Sequence, residues 1–186
     1  MSLLTSVAAV LFLAGAHPGG AGWALSPGAS FELLAGETVL RARFDASGLT
    51  GEGVALRHTD EALRGRVLGR EVAIRWKGRQ LVGRVGGEAT RLHIDLGRGV
   101  ARARGVFAGH ESELLWGPRG IKGRIGGCTY TLEAASQSYL GVRVCAGPVQ
   151  PIPTALVLPR DFEALSEVEQ LALLAVVLSA APVPVR

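Results

Sequence analysis

Apolar and polar residues alternate along much of the chain from residue 30 to residue 158, and this alternation predicts β-strands. In one such stretch Val72, Ile74 and Trp76 alternate with Ala73 and Arg75. Successive side chains of a strand point to opposite faces of its sheet. The pattern therefore predicts a sheet with one face in the core and the other in water.

A loose repeat containing Gly-Arg-Val or Gly-Arg-Ile runs through the same region. Its glycines, with one from a decayed copy, are Gly65, Gly83, Gly105 and Gly123, spaced 18, 22 and 18 residues apart. That spacing fits two short strands and two turns per unit, which is typical of an antiparallel β-meander. We count roughly eleven to thirteen strands, too many for a flat twisted sheet, so the meander should close into a barrel or fold into a sandwich.

The end of the sheet is marked by a group of prolines. After Pro148, Pro151 and Pro153, the apolar residues 154–158 are predicted to form a final edge strand or an extended linker.

The last predicted element is a helix that is apolar on every face. Ser166 and Glu169 have the spacing of a capping box, residues 171–181 are apolar apart from Ser179, and Pro182 ends the helix. Fourteen residues span about 21 Å, less than the roughly 30 Å core of a bilayer. A helix apolar all round must be buried in protein, whether inside a barrel, against an open sheet or in a partner's groove. The predicted fold class is thus mainly β, with one buried apolar C-terminal α-helix.

Two cysteines are placed for a disulfide across a hairpin. Strands predicted at 127–133 and 139–146 set Cys128 opposite Cys145 when they pair. Adjacent antiparallel strands bring Cα atoms close enough for a disulfide. In an exported protein we expect the bond to form, whereas in the cytosol both residues would be buried thiols.

The N-terminal segment is typical of a signal peptide. An apolar run at 3–14 is followed by the small residues of Ala14-Gly15-Ala16, although no Lys or Arg precedes the run. The sequence therefore predicts export to the periplasm, envelope or exterior; the alternative is a buried N-terminal helix or strand. The predicted organisation is a signal peptide at 1–16, a Gly/Pro-rich segment at 17–29, the β domain at 30–158, the helical segment at 159–181 and a tail at 182–186.

Composition and charge suggest that the protein binds an anionic ligand, and they argue against nucleic acid as that ligand. The 186 residues include 26 Gly and carry a formal net charge of +4, and Arg supplies nearly all of the basic residues. Guanidinium groups suit phosphate, anionic lipid or acidic glycan. Nucleic acid is not an expected partner, because aromatic residues are few and no recognised nucleic-acid-binding pattern is present.

Two sets of residues are candidates for ligand binding. Five arginines recur at matching repeat positions and are predicted to form a stripe on the solvent-exposed face of the sheet: Arg64, Arg66, Arg84, Arg104 and Arg124. Of these, Arg66, Arg84 and Arg124 are the candidate ligand-binding residues. Trp76 and Trp116 end corresponding strands, where they would either stack on a ligand or pack under turns. The alternative for the arginines is an ordinary solvated face.

Candidate chemistry is limited to two His-x-Asp pairs. His58 and Asp60, like His93 and Asp95, lie two residues apart, so each pair shares one face of a strand. If the strands faced each other, the four side chains could bind zinc or provide a catalytic base. The alternative is a solvated outer face. Nucleophile-elbow, P-loop and dinucleotide-binding motifs are absent, so no cofactor is predicted.

In layout, a strand-rich barrel followed by an apolar C-terminal helix resembles the tubby, scramblase and LURP-one group, in which such a helix threads the barrel. That resemblance implies an intracellular barrel that binds lipid or a membrane surface. The residues themselves favour an exported, non-enzymatic binding or envelope structural module that contacts anionic lipid or glycan through the Arg stripe. Other hypotheses are a barrel hydrolase or metal protein that uses the His-x-Asp pairs, and a C-terminal helix that docks into a protein partner.

Overall fold

The computed structural model describes residues 30–146 and 150–181, which form one closed barrel of fourteen antiparallel strands around a helix. Each strand pairs with its neighbours in the sequence, and β1 pairs with β14 to close the barrel. The strands are β1 (Ser30–Ala35), β2 (Thr38–Asp45), β3 (Gly48–Gly51), β4 (Val54–Thr59), β5 (Ala62–Val67), β6 (Arg70–Lys77), β7 (Gln80–Val85), β8 (Glu88–Gly97), β9 (Val100–Phe107), β10 (His110–Gly117), β11 (Gly120–Ile125), β12 (Cys128–Ala135), β13 (Ser138–Cys145) and β14 (Ile152–Val157). A short 3-10 helix (Arg160–Ala164) leads into the helix α1 (Glu167–Ala180).

The predicted fold class is confirmed, with two corrections in detail. The barrel has more strands than the eleven to thirteen expected, and its last strand is not an edge. Leu156 of β14 pairs with Tyr139 of β13 on one side and with Leu33 of β1 on the other. The β1–β14 pairing joins the two ends of the sheet, so this barrel has no edge strand.

Alternation along the strands separates an apolar interior from a polar exterior, as predicted. On β6, Val72, Ile74 and Trp76 are buried, while Ala73 and Arg75 are exposed. The same pattern holds on β8 and β12. The interior of the barrel is therefore the only place where the apolar helix can meet apolar side chains on all sides.

Helix α1 lies inside the barrel. Every residue from Gln170 to Ala180 is buried, and the helix packs closely against β5, β6, β9 and β11. The three placements that its composition allowed are thereby reduced to one, because its own barrel encloses the helix. A surface for docking α1 into a partner chain is not available.

The barrel wall supplies hydrogen bonds to the carbonyl groups at the end of α1. Tyr130 Oη donates to the carbonyl oxygen of Leu178 at 2.6 Å, and Arg70 Nη1 donates to that of Ser179 at 2.8 Å. Arg143, fully buried, donates from Nη1 to the carbonyl of Ala181 at 3.1 Å. The last carbonyls of a helix have no partners within it and carry partial negative charge. Two arginines and a tyrosine at this position therefore satisfy and stabilise the end of α1.

The start of α1 is fixed by the predicted capping box and by the short 3-10 helix. Ser166 accepts a hydrogen bond from the backbone N–H of Glu169, whose carboxylate accepts one from Ser166 N at 2.7 Å. Gln170 Nε2 donates to the carbonyl oxygen of Phe162 at 2.9 Å. The Phe162 ring lies among three other aromatic rings, those of Phe31, Phe44 and Trp116. The 3-10 helix thus covers the barrel mouth where α1 begins.

Glycine allows close approach at two kinds of position. Gly65 has φ +140°, and a Cβ there would lie on the carbonyl oxygen of Ala55 in the next strand. Gly126, with φ +59°, faces the helix, and a Cβ would lie 2.6 Å from the Cβ of Ser179. Only glycine adopts these conformations at little cost. The turn after β11 therefore approaches α1 more closely than any larger residue would permit.

Cys128 and Cys145 form a disulfide between β12 and β13, and their Cα atoms are 4.0 Å apart. They are directly opposite in the strand register that the sequence predicted. Both are buried on the inner face of the barrel wall. The predicted signal peptide at 1–16, the 17–29 segment and the 182–186 tail lie outside the described residues.

In the described part of the chain no helix is both long and apolar enough to span a bilayer.

Candidate anion-binding face and barrel mouth

Five exposed arginines cross the outer surface of five neighbouring strands. None of them forms an ion pair with an acidic side chain among the described residues. We call this set the arginine ladder; in strand order, β4 to β8, it consists of Arg57, Arg64, Arg75, Arg84 and Arg91.

Strand register makes each member of the ladder a neighbour of the next. Arg64 pairs with Ala73, so Arg75, two residues further along β6, lies diagonally across from Arg64. The same diagonal step leads from Arg75 to Arg84 and from Arg84 to Arg91. Diagonal neighbours on one face of a sheet lie about 7–8 Å apart. The ladder is therefore a continuous line of positive charge, about 19 Å across at the usual strand spacing.

The first two members of the ladder face each other directly. Arg57 on β4 pairs with Arg64 on β5. Both side chains line an open depression of about 330 Å³, together with Ser47, Thr50 and Ala55. Like charges placed directly opposite each other destabilise a sheet. A bound anion would remove this repulsion.

Alanines separate some arginines of the ladder, whereas Val82 lies between Arg75 and Arg91. Ala73 lies between Arg64 and Arg84 in one row, and Ala55 lines the depression beside Arg57. Ala55 and Ala73 are exposed but add little bulk. A ligand can therefore reach the guanidinium groups from the side as well as from above.

An ion pair between β8 and β9 ends the ladder. Arg104 lies diagonally across from Arg91, but its Nη2 is 2.6 Å from Asp95 Oδ2. The hydrogen bond and charge of Arg104, followed by the charge of His93, hold the pKa of Asp95 below its usual range. Asp95 in turn raises the pKa of Arg104. This pair is neutral overall, so the line of unpaired positive charge stops at Arg91.

Two further outward arginines, one on β9 and one on β11, are also paired. Arg102 contacts Glu113 on β10, and Arg124 on β11 lies 3.5 Å from Glu111. The two sides of the barrel thus differ in their strand arginines: those of the ladder have no acidic partner among the described residues, whereas Arg102, Arg104 and Arg124 lie in ion pairs.

This distribution changes the predicted Arg stripe. Arg66, Arg84 and Arg124 all face outwards, but they lie on β5, β7 and β11 and do not form one row. Arg66 pairs with Glu71 in the register, and Arg124 belongs to the ion-paired side. Of the predicted stripe, Arg64 and Arg84 belong to the ladder.

The sequence repeat does not indicate the three ladder arginines that lie outside its matching positions. Arg57, Arg75 and Arg91 lie on even-numbered strands, where the repeat carries no Gly-Arg motif. The signal that could have found them is the pairing register, worked out turn by turn across β4 to β8.

The structure does not bring the two His-x-Asp pairs together. His58 lies on β4 and points inwards, whereas His93 and Asp95 lie on the exterior of β8, with three strands between them. His93 Nε2 is 3.2 Å from Asp95 Oδ1, and Asp60 lies in a turn. Within residues 30–146 and 150–181 no three His, Cys, Asp or Glu side chains form a group able to hold a metal ion.

His58 instead links the barrel wall to the start of α1. Its Nε2 lies 3.0 Å from Glu169 Oε1, and its ring stacks on Trp76 with centroids 5.7 Å apart. Burial alone would raise the pKa of Glu169, but hydrogen bonds from Ser166 and the charge of His58 outweigh it and lower that pKa. Trp76 Nε1 donates to the carbonyl oxygen of Asp60 at 2.8 Å, so Trp76 is packed under a turn and only 9% exposed.

Trp116 has a different environment at the same mouth of the barrel. Its ring meets Phe162 edge-on at 6.0 Å and borders two cavities of about 340 and 800 Å³. Its buried Nε1 has no hydrogen-bond partner among the described residues. Of the two predicted tryptophans, only Trp116 is therefore open to a ligand.

The chain matches no known protein-family model, and neither a curated protein nor a solved structure matches it. The resemblance to the tubby, scramblase and LURP-one group is thus limited to the layout of a helix inside a barrel.

Proposed function

We propose that this protein is an exported, non-enzymatic binding module whose arginine ladder holds an anionic polysaccharide. Arginine recognises carboxylate, sulfate and phosphate groups through a planar fork of donors. The observation that carries the proposal is the direct pairing of Arg57 with Arg64, with no acidic partner among the described residues. The repulsion between the two arginines destabilises the free protein. A bound anion relieves that repulsion, and this relief adds to the affinity for the anion.

The shape of the ladder favours a polymer over a flat membrane. The ladder runs across the strands and so follows the curved circumference of the barrel. A flexible chain of charged sugar units can follow that curve, whereas a bilayer surface touches it over a few strands only. Diagonal neighbours in the ladder lie about 7–8 Å apart, which suits a ligand that carries anionic groups at similar distances.

The exposed apolar residues support the same choice. Large exposed apolar side chains in the described part of the chain are Val39, Val100, Val106, Leu140 and Val142. Only Val106, on β9, lies beside the ladder, where it pairs with Arg91. Peripheral membrane binding combines basic residues with apolar side chains that enter the lipid. The ladder has the charge without those side chains.

The disulfide supports the exported part of the proposal. Disulfides such as Cys128–Cys145 form and persist in oxidising compartments. The signal-like sequence at 1–16 predicts the same route. An exported protein meets anionic polysaccharides in the cell envelope or outside the cell, so its compartment favours these ligands.

The test compares three immobilised surfaces at matched salt. We expect the disulfide-bonded protein to bind heparin-agarose and polygalacturonate, and to pass through neutral dextran. Vesicles of phosphatidylglycerol serve as the lipid arm. Binding to the vesicles alone would replace the polysaccharide with a lipid surface, and binding to none of these anionic surfaces would refute the proposal.

A further inference from the structure

Besides the depression at Arg57 and Arg64, a separate cavity lies at the mouth of the barrel, away from the ladder. It has a volume of about 340 Å³, and its aromatic walls are Trp116 of β10, Tyr139 of β13 and Phe162 of the 3-10 helix. Ligand pockets start at about 300 Å³. The cavity is thus large enough for one small ring rather than for an extended molecule.

One residue that lines this cavity carries an unsatisfied donor. The Nε1 group of Trp116 is buried and has no acceptor among the described residues, whereas Trp76 at the same mouth donates to Asp60. A buried donor without a partner costs about 1–3 kcal/mol. A bound molecule that offers an oxygen acceptor beside Trp116 would remove that cost.

The polar side chains that complete the lining include donors, acceptors and charges of both signs. Gln137 provides both a donor and an acceptor, while Arg160 and Glu163 carry opposite charges. The cavity therefore has donors, acceptors and little net charge. This differs from the ladder, whose five members are all arginines without an acidic ion-pair partner among the described residues.

From these features we propose that the cavity binds a neutral sugar unit. The apolar C–H face of a pyranose ring packs on the aromatic walls, and its hydroxyl groups bond with Gln137, Arg160 and Glu163. The 800 Å³ depression on the other side of Trp116, lined in part by Leu115 and Pro118, gives room for adjoining units.

The two sites are independent of each other. The ladder occupies β4 to β8, whereas the sugar cavity is formed by β10, β13, the segment after β14 and the 3-10 helix. The sugar site does not rest on the proposed function, and either can fail without the other.

The test uses the indole N–H signals of the full-length protein labelled with ¹⁵N-tryptophan. The probes are cellotriose and N,N′,N″-triacetylchitotriose, both neutral. We expect the Trp116 signal to shift and saturate with at least one probe while the Trp76 signal stays in place. Tyr139→Ala should weaken the interaction about tenfold, since it removes one stacking wall, and Tyr139→Phe should retain it.

A matched variant separates this site from the ladder. Arg57→Gln with Arg64→Gln should leave the sugar-induced shift of Trp116 unchanged. A Trp116 signal that moves with neither probe, or a folded Tyr139→Ala variant that binds the probe as tightly as the natural protein, would overturn the sugar site.

Discussion

Tyr130 on the barrel wall donates a hydrogen bond from its hydroxyl to the carbonyl oxygen of Leu178 in the central helix, over 2.6 Å. The tyrosine is 1% exposed, and burial raises the pKa of its hydroxyl despite the opposing influence of Arg143. The Tyr130 hydroxyl thus remains protonated and able to donate. Through this bond a strand of the wall fixes the last turn of the helix.

Replacing Tyr130 with Phe should destabilise the protein. The Leu178 carbonyl would be left in a buried site without its donor, which costs about 1–3 kcal/mol. Tyr139→Phe is the matched control, because no hydrogen bond of the Tyr139 hydroxyl occurs among the described residues. Urea unfolding measures both variants. Equal stabilities would show that the helix end does not depend on this bond.

The close approach of Gly126 to Ser179 predicts a second stability difference. Gly126→Ala adds a Cβ against the helix and forces alanine to φ +59°, so it should cost about 3 kcal/mol or more. Gly78 has nearly the same φ, +56°, with no atom near its missing Cβ. Gly78→Ala should therefore cost only about 1–2 kcal/mol for the conformation. If denaturant midpoints place the two variants together, α1 does not pass under the turn after β11.

The His58–Glu169 contact predicts acid sensitivity. The pKa of Glu169 is below its ordinary value of 4.5 in the folded protein, so the unfolded chain takes up the proton first as pH falls. Its contribution to stability is complete well above pH 4.5 and is lost as pH falls through the lower folded pKa. The free energy of unfolding should therefore decline less steeply in acid for Glu169→Gln than for the natural protein. Parallel acid profiles of the two proteins would contradict this role.

The disulfide should contribute measurably to stability. Cys128 and Cys145 are separated by 17 residues, and closing a loop of that size stabilises a fold by about 3 kcal/mol. The Cys128→Ala, Cys145→Ala variant should lose this amount in urea unfolding without reductant. With reductant, the natural protein should fall to about the level of the variant. A natural protein whose stability does not change on reduction would refute the contribution.

The fold was predictable from the sequence to the extent that its pattern is local. Alternation and glycine spacing indicate the meander, and the pairing of Cys128 with Cys145 follows from one hairpin. Closure of the barrel is not local, because Leu33 and Leu156 come from opposite ends of the sheet. The strand count was low in part because β3, Gly48–Gly51, is only four residues long.

The candidate sites were less predictable because they depend on register and burial. The diagonal contacts of the ladder require the correct pairing of four successive hairpins, and a one-residue slip in any of them would move its arginines to the inner face. Arg143 lies two residues before Cys145 and opposite Tyr130, so the strand period places it on the inner face of the sheet without identifying what it contacts there. Its place beside the end of α1 depends on the helix entering the barrel, which the sequence left open.

The most direct test of the account compares two triple variants with the same net charge. One replaces Arg57, Arg64 and Arg75 of the ladder with Gln, and the other replaces Arg102, Arg104 and Arg124 on the ion-paired side. Affinity for heparin is measured for each by titration calorimetry at fixed salt. We predict a loss of about tenfold or more for the ladder variant and little change for the other, since the paired arginines are already neutralised. Equal losses in the two variants would show that net charge, and not the ladder, binds the polyanion.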